Sequence, residues 1–194
     1  MPLFRLADFA APSPGTSVCL GMFDGVHLGH KALIDATCTA AREKALVPCA
    51  FTFDLPPAAV FSPDKSIRLL TDIDRKSELM HRAGLAHVVY ECFTRDVASI
   101  PAQDFFRTIL MEKMQARHIV VGFHYHFGKN ALGDANMLSD LCRENGISLT
   151  VIPPVTTPEG DLISSTAIRN HIACGQISLA EKLLGRPIVH PETL

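Results

Sequence analysis

The sequence predicts a doubly wound, Rossmann-like α/β domain with a five-stranded parallel sheet and helices on both faces, and three observations predict it. Five short, apolar, mostly β-prone runs alternate with four helical patterns in the order β, α, β, α, β, α, β, α, β. The runs are near-continuously apolar, as expected of strands covered on both faces by crossover helices. The chain has 194 residues, 47% of them hydrophobic and 20% charged, which suits one globular domain.

The strands are expected over 17–22, 47–53, 87–93, 118–123 and 148–153. The helices between them are expected over 31–44, 72–83, 101–114 and 134–145, the last closed by Gly146 at a C-terminal cap position. A further stretch, 164–184, reads as two short helices with a turn at Cys174-Gly175, ending at Gly185-Arg186-Pro187. The Pro-containing pieces 10–14 and 61–64 read as loops. In such a sheet, with right-handed crossovers, the ligand crevice lies beyond the carboxyl ends of the strands, where the winding reverses. Chemistry is therefore expected in the loops after the first, second, fourth and fifth strands.

Lys and Arg total 18 against 20 Asp and Glu, a net charge of -2. That balance offers no broad attraction for a nucleic-acid backbone or an anionic membrane, so a small, locally charged ligand is the expected partner. The six cysteines form no CxxC pair, and neither a signal peptide nor a long apolar span is evident, which predicts a reduced, cytoplasmic protein without a zinc site.

The first strand runs into Gly21-Met22-Phe23-Asp24-Gly25-Val26-His27-Leu28-Gly29-His30, followed by a helical segment. Glycines permit tight turns and close approach of a ligand, and a helix start presents free N–H groups to phosphate oxygens. Gly21, Phe23, Asp24, Gly25 and Gly29 are thus candidate nucleotide-binding residues. His27 and His30, three apart, share one side of the first turn and are candidate catalytic groups. The arrangement suits adenylyl transfer, where positioning and stabilisation of spreading negative charge carry most of the rate. The competing account has each histidine capping the helix or satisfying a core hydrogen bond, and the pairing of the two favours the phosphate role.

A second candidate clamp, Ile163-Ser164-Ser165-Thr166-Ala167-Ile168-Arg169, stands at another helix start. Hydroxyls and N-terminal amides of Ser164, Ser165 and Thr166 can hold phosphates and are candidate nucleotide-binding residues, with Arg169 one turn on, a third candidate catalytic residue, adding a charge-assisted contact. Alone it reads equally as an ordinary Ser/Thr cap followed by a surface arginine.

With these segments in view, the chain resembles the FMN adenylyltransferase module of bacterial bifunctional riboflavin kinase/FAD synthetases, in the HIGH-motif nucleotidyltransferase superfamily. The matching landmarks, in family order, are GMFDGVHLGH at 21–30, LLTDIDRKSELM at 69–80, SIPAQDFF at 99–106, VVGFHYHFG at 120–128, LISSTAIR at 162–169 and AEKLLGRP at 180–187. The resemblance implies a nucleotidyltransferase fold and conversion of FMN and ATP to FAD and pyrophosphate, with Mg2+ on the ATP phosphates. It implies that His27 and His30 contact the reacting phosphates and that Ser164, Ser165, Thr166 and Arg169 hold the triphosphate. Asp24 could orient a histidine or a hydrated metal ion, or serve as an Asp-Gly turn residue.

The sequence departs from the family pattern in two loops that border the flavin and adenine pockets in the relatives. Pro56 stands where the Phe-Asp-Pro-His-Pro run has its histidine, and His124, two residues after Gly122, itself a candidate nucleotide-binding residue, stands where the family has Asp or Asn. Pro56, His124, Tyr125 and Phe127 are the candidate flavin contacts; the two aromatics either lie flat against a ring or fill the core beneath the loop. His124 and His126 are two apart, but with no third ligand nearby no metal site is expected. The domain is assigned to 1–187, followed by a tail at 188–194 too short to be the riboflavin kinase barrel, which is expected to be absent. Two alternatives stand beside FAD synthesis: transfer to another phosphorylated acceptor, such as phosphopantetheine, nicotinate mononucleotide or glycerol phosphate, and a catalytically silent module that binds nucleotide or flavin.

Overall fold

The computed structural model describes residues 2–61 and 68–188. The end of the predicted 61–64 loop and the tail beyond Ile188 lie outside the described residues.

The sheet is entirely parallel and has six strands, not five: β1 (Leu3–Arg5), β2 (Thr16–Leu20), β3 (Val47–Phe53), β4 (His87–Glu91), β5 (Ala116–Gly122) and β6 (Ser148–Ile152), in the order β1-β4-β3-β2-β5-β6. The extra strand, Leu3-Phe4-Arg5, is too short to carry a periodic signal; pairing with β4 makes it a strand. The five predicted strands are present, with ends within two residues of those expected.

The helices are α1 (Leu28–Glu43), α2 (Pro57–Phe61), α3 (Ile73–Arg82), α4 (Arg95–Ala98), α5 (Ala102–Asp104), α6 (Ala135–Glu144), α7 (Ser165–Ala173) and α8 (Ile177–Leu184). The short helices α2 and α4 were not expected, and two expected helices differ in detail. Helix α1 starts three residues earlier than predicted, inside the glycine-histidine motif. Beyond α5 the chain widens into a π-helix over Phe105–Lys113, closed by the Met114 N–H donating to the Ile109 carbonyl at 2.9 Å. Its i→i+5 spacing turns Phe105, Phe106, Ile109 and Leu110 all toward the core.

Alternate residues of the central strands serve opposite faces. Val18, Leu20, Phe51 and Ile119 pack under the π-helix and α6, while Cys19, Ala50, Val88 and Val120 pack under α1 and α3. The polar residues of buried β2 are satisfied internally: Thr16 Oγ1 donates to the Met114 carbonyl at 2.8 Å, and Ser17 Oγ to the Thr37 carbonyl at 3.0 Å. Helices α7 and α8 pack together through Ile168, Ala180, Leu183 and Leu184 beside the sheet. Among the described residues no helix is long and apolar enough to cross a membrane.

Candidate active site

Strand β2 leaves the sheet between β3 and β5, where the winding reverses, so residues 21–27 enter the crevice at the carboxyl edge. His27 is the N-cap of α1: its Nδ1 accepts the His30 backbone N–H at 3.3 Å. That bond assigns the ring proton to Nε2, leaving Nε2–H as the ring's donor. The two imidazoles stack with centroids 3.6 Å apart and planes 17° apart. A side chain at Gly29 would meet the His27 ring at 3.0 Å, so the glycine makes room for the ring to fold over the helix start. His27 therefore caps the helix with one nitrogen and keeps the other as a free donor.

Burial, reinforced by the nearby Arg186 guanidinium, lowers the His27 pKa to about 4. Burial likewise pushes His30 well below the usual histidine range, with His27 and Lys76 adding to it. Both rings are neutral near pH 7. His30 Nδ1 is buried and has no hydrogen-bond partner among the described residues.

The loop between β2 and His27 is conformationally costly. Phe23 (φ 50), Gly25 (φ 79) and Val26 (φ 39) all lie in the left-handed region, which costs non-glycine residues on the order of 1–3 kcal/mol each. Braces from distant segments hold it. Asp24 Oδ1 accepts the N–H groups of Leu70 (2.8 Å) and Thr71 (3.1 Å), and Thr71 Oγ1 accepts the Gly25 N–H at 3.0 Å. Asp24 Oδ2 pairs with Arg169 Nη1 at 2.7 Å, and Ser165 Oγ donates to the Asp24 carbonyl at 2.8 Å. Phe23 is completely buried and packs against His30, so its side chain belongs to the core.

The structure thus brings the two sequence-predicted clamps together, with the N-terminus of α7 against the β2–α1 loop. It also gives their side chains protein partners. Ser164 caps α7 by accepting the Ala167 N–H at 3.2 Å, Arg169 Nη2 donates to Thr166 Oγ1 at 3.5 Å, and Asp24 is a keystone between three segments. Thr166 is exposed. No group of three or more His, Cys, Asp or Glu among the described residues is placed to hold a metal ion.

Beside this loop opens a cavity of about 410 Å³. Its walls are aromatic and apolar, from Phe51, Phe53, Phe61, Phe93, Phe105 and Phe127, and it reaches Gly21 and Met22, where the glycine-histidine loop begins. Of the four candidate flavin contacts, His124, Tyr125 and Phe127 line it; Pro56 does not, while its neighbour Pro57 does. Tyr125 stacks on Phe127 at 5.8 Å with planes 14° apart, and burial pushes its phenol pKa up. Phe127 is buried in the core beneath the loop, so it wedges the wall in place while also lining the cavity. A Cβ at Gly122 would meet nothing within 4 Å, leaving open space at the end of β5.

Sequence reasoning missed Lys76. It lies on α3 with 2% exposure, and its Nζ donates to the Phe53 carbonyl at 3.0 Å, at the carboxyl end of β3. Burial lowers its pKa to about 8, with Asp24 and Asp54 opposing the shift, so it remains a cation at neutral pH. Asp54 in turn accepts the Phe93 N–H at 2.9 Å and ties β3 to β4 at the cavity rim. The only sequence signal was the position of Lys76 within the 69–80 landmark; its direction depends on the fold.

Comparison with known proteins converges on the same elements. The FAD synthetase family pattern matches residues 10–167. The bifunctional riboflavin kinase/FMN adenylyltransferase of Escherichia coli (strain K12) is 32% identical over 191 residues, covering 95% of this chain and 60% of that protein. A protein of Listeria monocytogenes named FAD synthetase is 32% identical over 169 residues, covering 87% of this chain and 68% of that protein. A solved structure from Streptococcus pneumoniae, described as a macrolide-efflux protein, superposes with a TM-score of 0.85 at 31% identity, covering 96% of this chain and 62% of that one. The chain spans about three fifths of the length of the bifunctional relative.

Proposed function

We propose, for a chain that belongs to the FAD synthetase family, that it transfers the AMP portion of ATP to FMN, giving FAD and pyrophosphate. An oxygen of the FMN phosphate attacks the α-phosphorus of ATP in line, and the bond from that phosphorus to the oxygen bridging to the β-phosphate breaks as pyrophosphate leaves. The observation that carries the reading is the continuity of an aromatic cavity with the phosphate loop: Gly21 and Met22 line the one and begin the other. A flat isoalloxazine ring suits walls made of Phe53, Phe93, Tyr125 and Phe127. Its phosphate would then lie toward His27 and the amides at the start of α1.

The histidines act in this reading as neutral N–H donors to phosphate oxygens, strengthening as charge spreads in the transition state. Positive charge comes from Lys76, and the N-terminus of α7 adds its dipole to the triphosphate site. Arg169 acts by fixing Asp24, and Ser165 by docking α7 on the loop. Magnesium fits as an ion carried by the ATP phosphates, where it offsets their charge, because both carboxylate oxygens of Asp24 already serve protein donors.

The test incubates the protein with ATP, magnesium and FMN, and separately with riboflavin in place of FMN, and resolves the flavins by chromatography. FAD from FMN is the expected product, with riboflavin unchanged. A folded, ATP-binding sample that makes no FAD while adenylylating another phosphorylated acceptor would overturn the assignment.

A further inference from the structure

Arg186 lies beyond the segment 10–167 that the family pattern matches, yet it reaches back into the phosphate loop. Its Nη2 donates to the Gly25 carbonyl at 2.7 Å and its Nη1 to the Val26 carbonyl at 3.1 Å. These are the two peptides immediately before His27. The guanidinium is itself seated, since Nη1 also approaches the Leu184 carbonyl at 3.5 Å and α8 ends at Gly185 in the left-handed conformation. A Cβ at Gly185 would stand 2.5 Å from Leu28 Cδ2, so the end of α8 presses directly on the first residue of α1.

Val26 has little reason of its own to hold a φ of 39, because a β-branched side chain disfavours that region. The Val26 N–H donates to the Phe23 carbonyl at 3.0 Å and the Gly25 N–H to Thr71, while the two carbonyls are held by Arg186. Without the fork, the two carbonyls lose their anchor, the peptides on either side of Val26 can relax toward ordinary backbone angles, and the His27 ring that follows moves with them. A lysine lacks the planar, two-pronged donor geometry needed to hold two adjacent carbonyls. The same guanidinium disfavours a charge on His27, in line with a ring that serves as a neutral donor.

We infer that Arg186 is a positioning residue for the transfer reaction: by holding the Gly25 and Val26 carbonyls it fixes the strained turn that sets the His27 ring at the start of α1. The inference rests on His27 as the phosphate donor proposed above.

The test compares wild type, Arg186→Ala and Arg186→Lys as full chains in FAD formation. In Arg186→Ala, kcat is expected to fall by about tenfold to a hundredfold, with KM for ATP and FMN changing little. Low millimolar guanidinium is expected to restore much of that rate, while leaving wild type and His27→Ala unaffected. Should the alanine variant fail to fold, the lysine variant is expected to fold, lose rate in the same way and gain nothing from guanidinium. A kcat equal to wild type, or a loss in folded protein that guanidinium does not restore in Arg186→Ala, would overturn the positioning role. Failure of the transfer reading is distinguished by wild type itself making no FAD. The imidazole proton resonances then decide: ring-current shifts from the His27–His30 stack are expected to collapse in Arg186→Ala or Arg186→Lys, and unchanged shifts would refute the inference.

Discussion

A histidine pair at a helix start is commonly taken as a source of positive charge, but burial at the start of α1 keeps His27 and His30 neutral near pH 7. In the unfolded chain the rings protonate near pH 6.5, whereas folded His27 resists until about pH 4. The unfolded state therefore binds more protons across that window. The stabilising contribution is complete above about pH 6.5 and is lost progressively as the pH falls toward 4. In His27→Asn, which keeps a capping side chain, the fall of urea midpoint between pH 6.5 and 4 is expected to be shallower than in wild type. It does not vanish, because His30, His87 and His118 are lowered in the same direction. An equal slope would show that His27 titrates normally. The pairing of the histidines was legible from their spacing and glycine context, whereas their neutrality was not, since burial comes from α7, α8 and α3 closing over the loop. Lys76 was illegible for the same reason.

Among the elements, the wall of the aromatic cavity depends on one close contact. Gly128, at φ 72, sits so near α5 that a Cβ would lie 2.5 Å from the Ala102 Cα, and the Lys129 N–H donates to the Ile100 carbonyl at 2.7 Å. Two landmarks far apart in sequence, 99–106 and 120–128, thus exist to fit each other. Gly128→Ala is expected to cost at least about 1–2 kcal/mol from the left-handed backbone alone and to raise KM for FMN well above any change for ATP. Thermal unfolding and steady-state kinetics check both, and matched rises in the two KM values would place the damage elsewhere. Helix positions were legible wherever a 3.6-residue period and ordinary caps operate, as with Asp72 at α3 and Asp134 at α6. They were misjudged where the mechanism is unusual. Histidine is an uncommon cap, which hid the start of α1; α2 and α4, at five and four residues, are too short to show a period; and the helix expected over 101–114 is present but π-helical over Phe105–Lys113.

In the molecule as a whole, six parallel strands bring the segments after their carboxyl ends to one edge, and Asp24 is where the edge is tied together. It joins the β2–α1 loop to Leu70, Thr71 and α7. Asp24→Asn leaves Arg169 without its ion pair and turns an acceptor toward or away from two N–H groups. With Arg169 partly exposed, a loss of about 2–3 kcal/mol is expected, accompanied by weaker ATP binding because α7 is no longer docked. Chemical denaturation and nucleotide titration measure these, and full stability would show that Asp24 braces nothing. The parallel, doubly wound character of the sheet was legible from apolar strands alternating with helices, apart from the three-residue β1, whose existence depends on β4. The braces were not legible, because no local pattern announces partners 46, 145 or 160 residues away. That last separation, from Val26 to Arg186, has a consequence during synthesis. At roughly 5–20 residues per second, a ribosome takes on the order of 10–30 s to travel between them. For that interval the nascent chain carries its histidines on a turn that nothing yet holds from the far end. The setting of His27 arrives last, after the sheet, and a chain stalled short of Arg186 would lack the fork that holds the Gly25 and Val26 carbonyls.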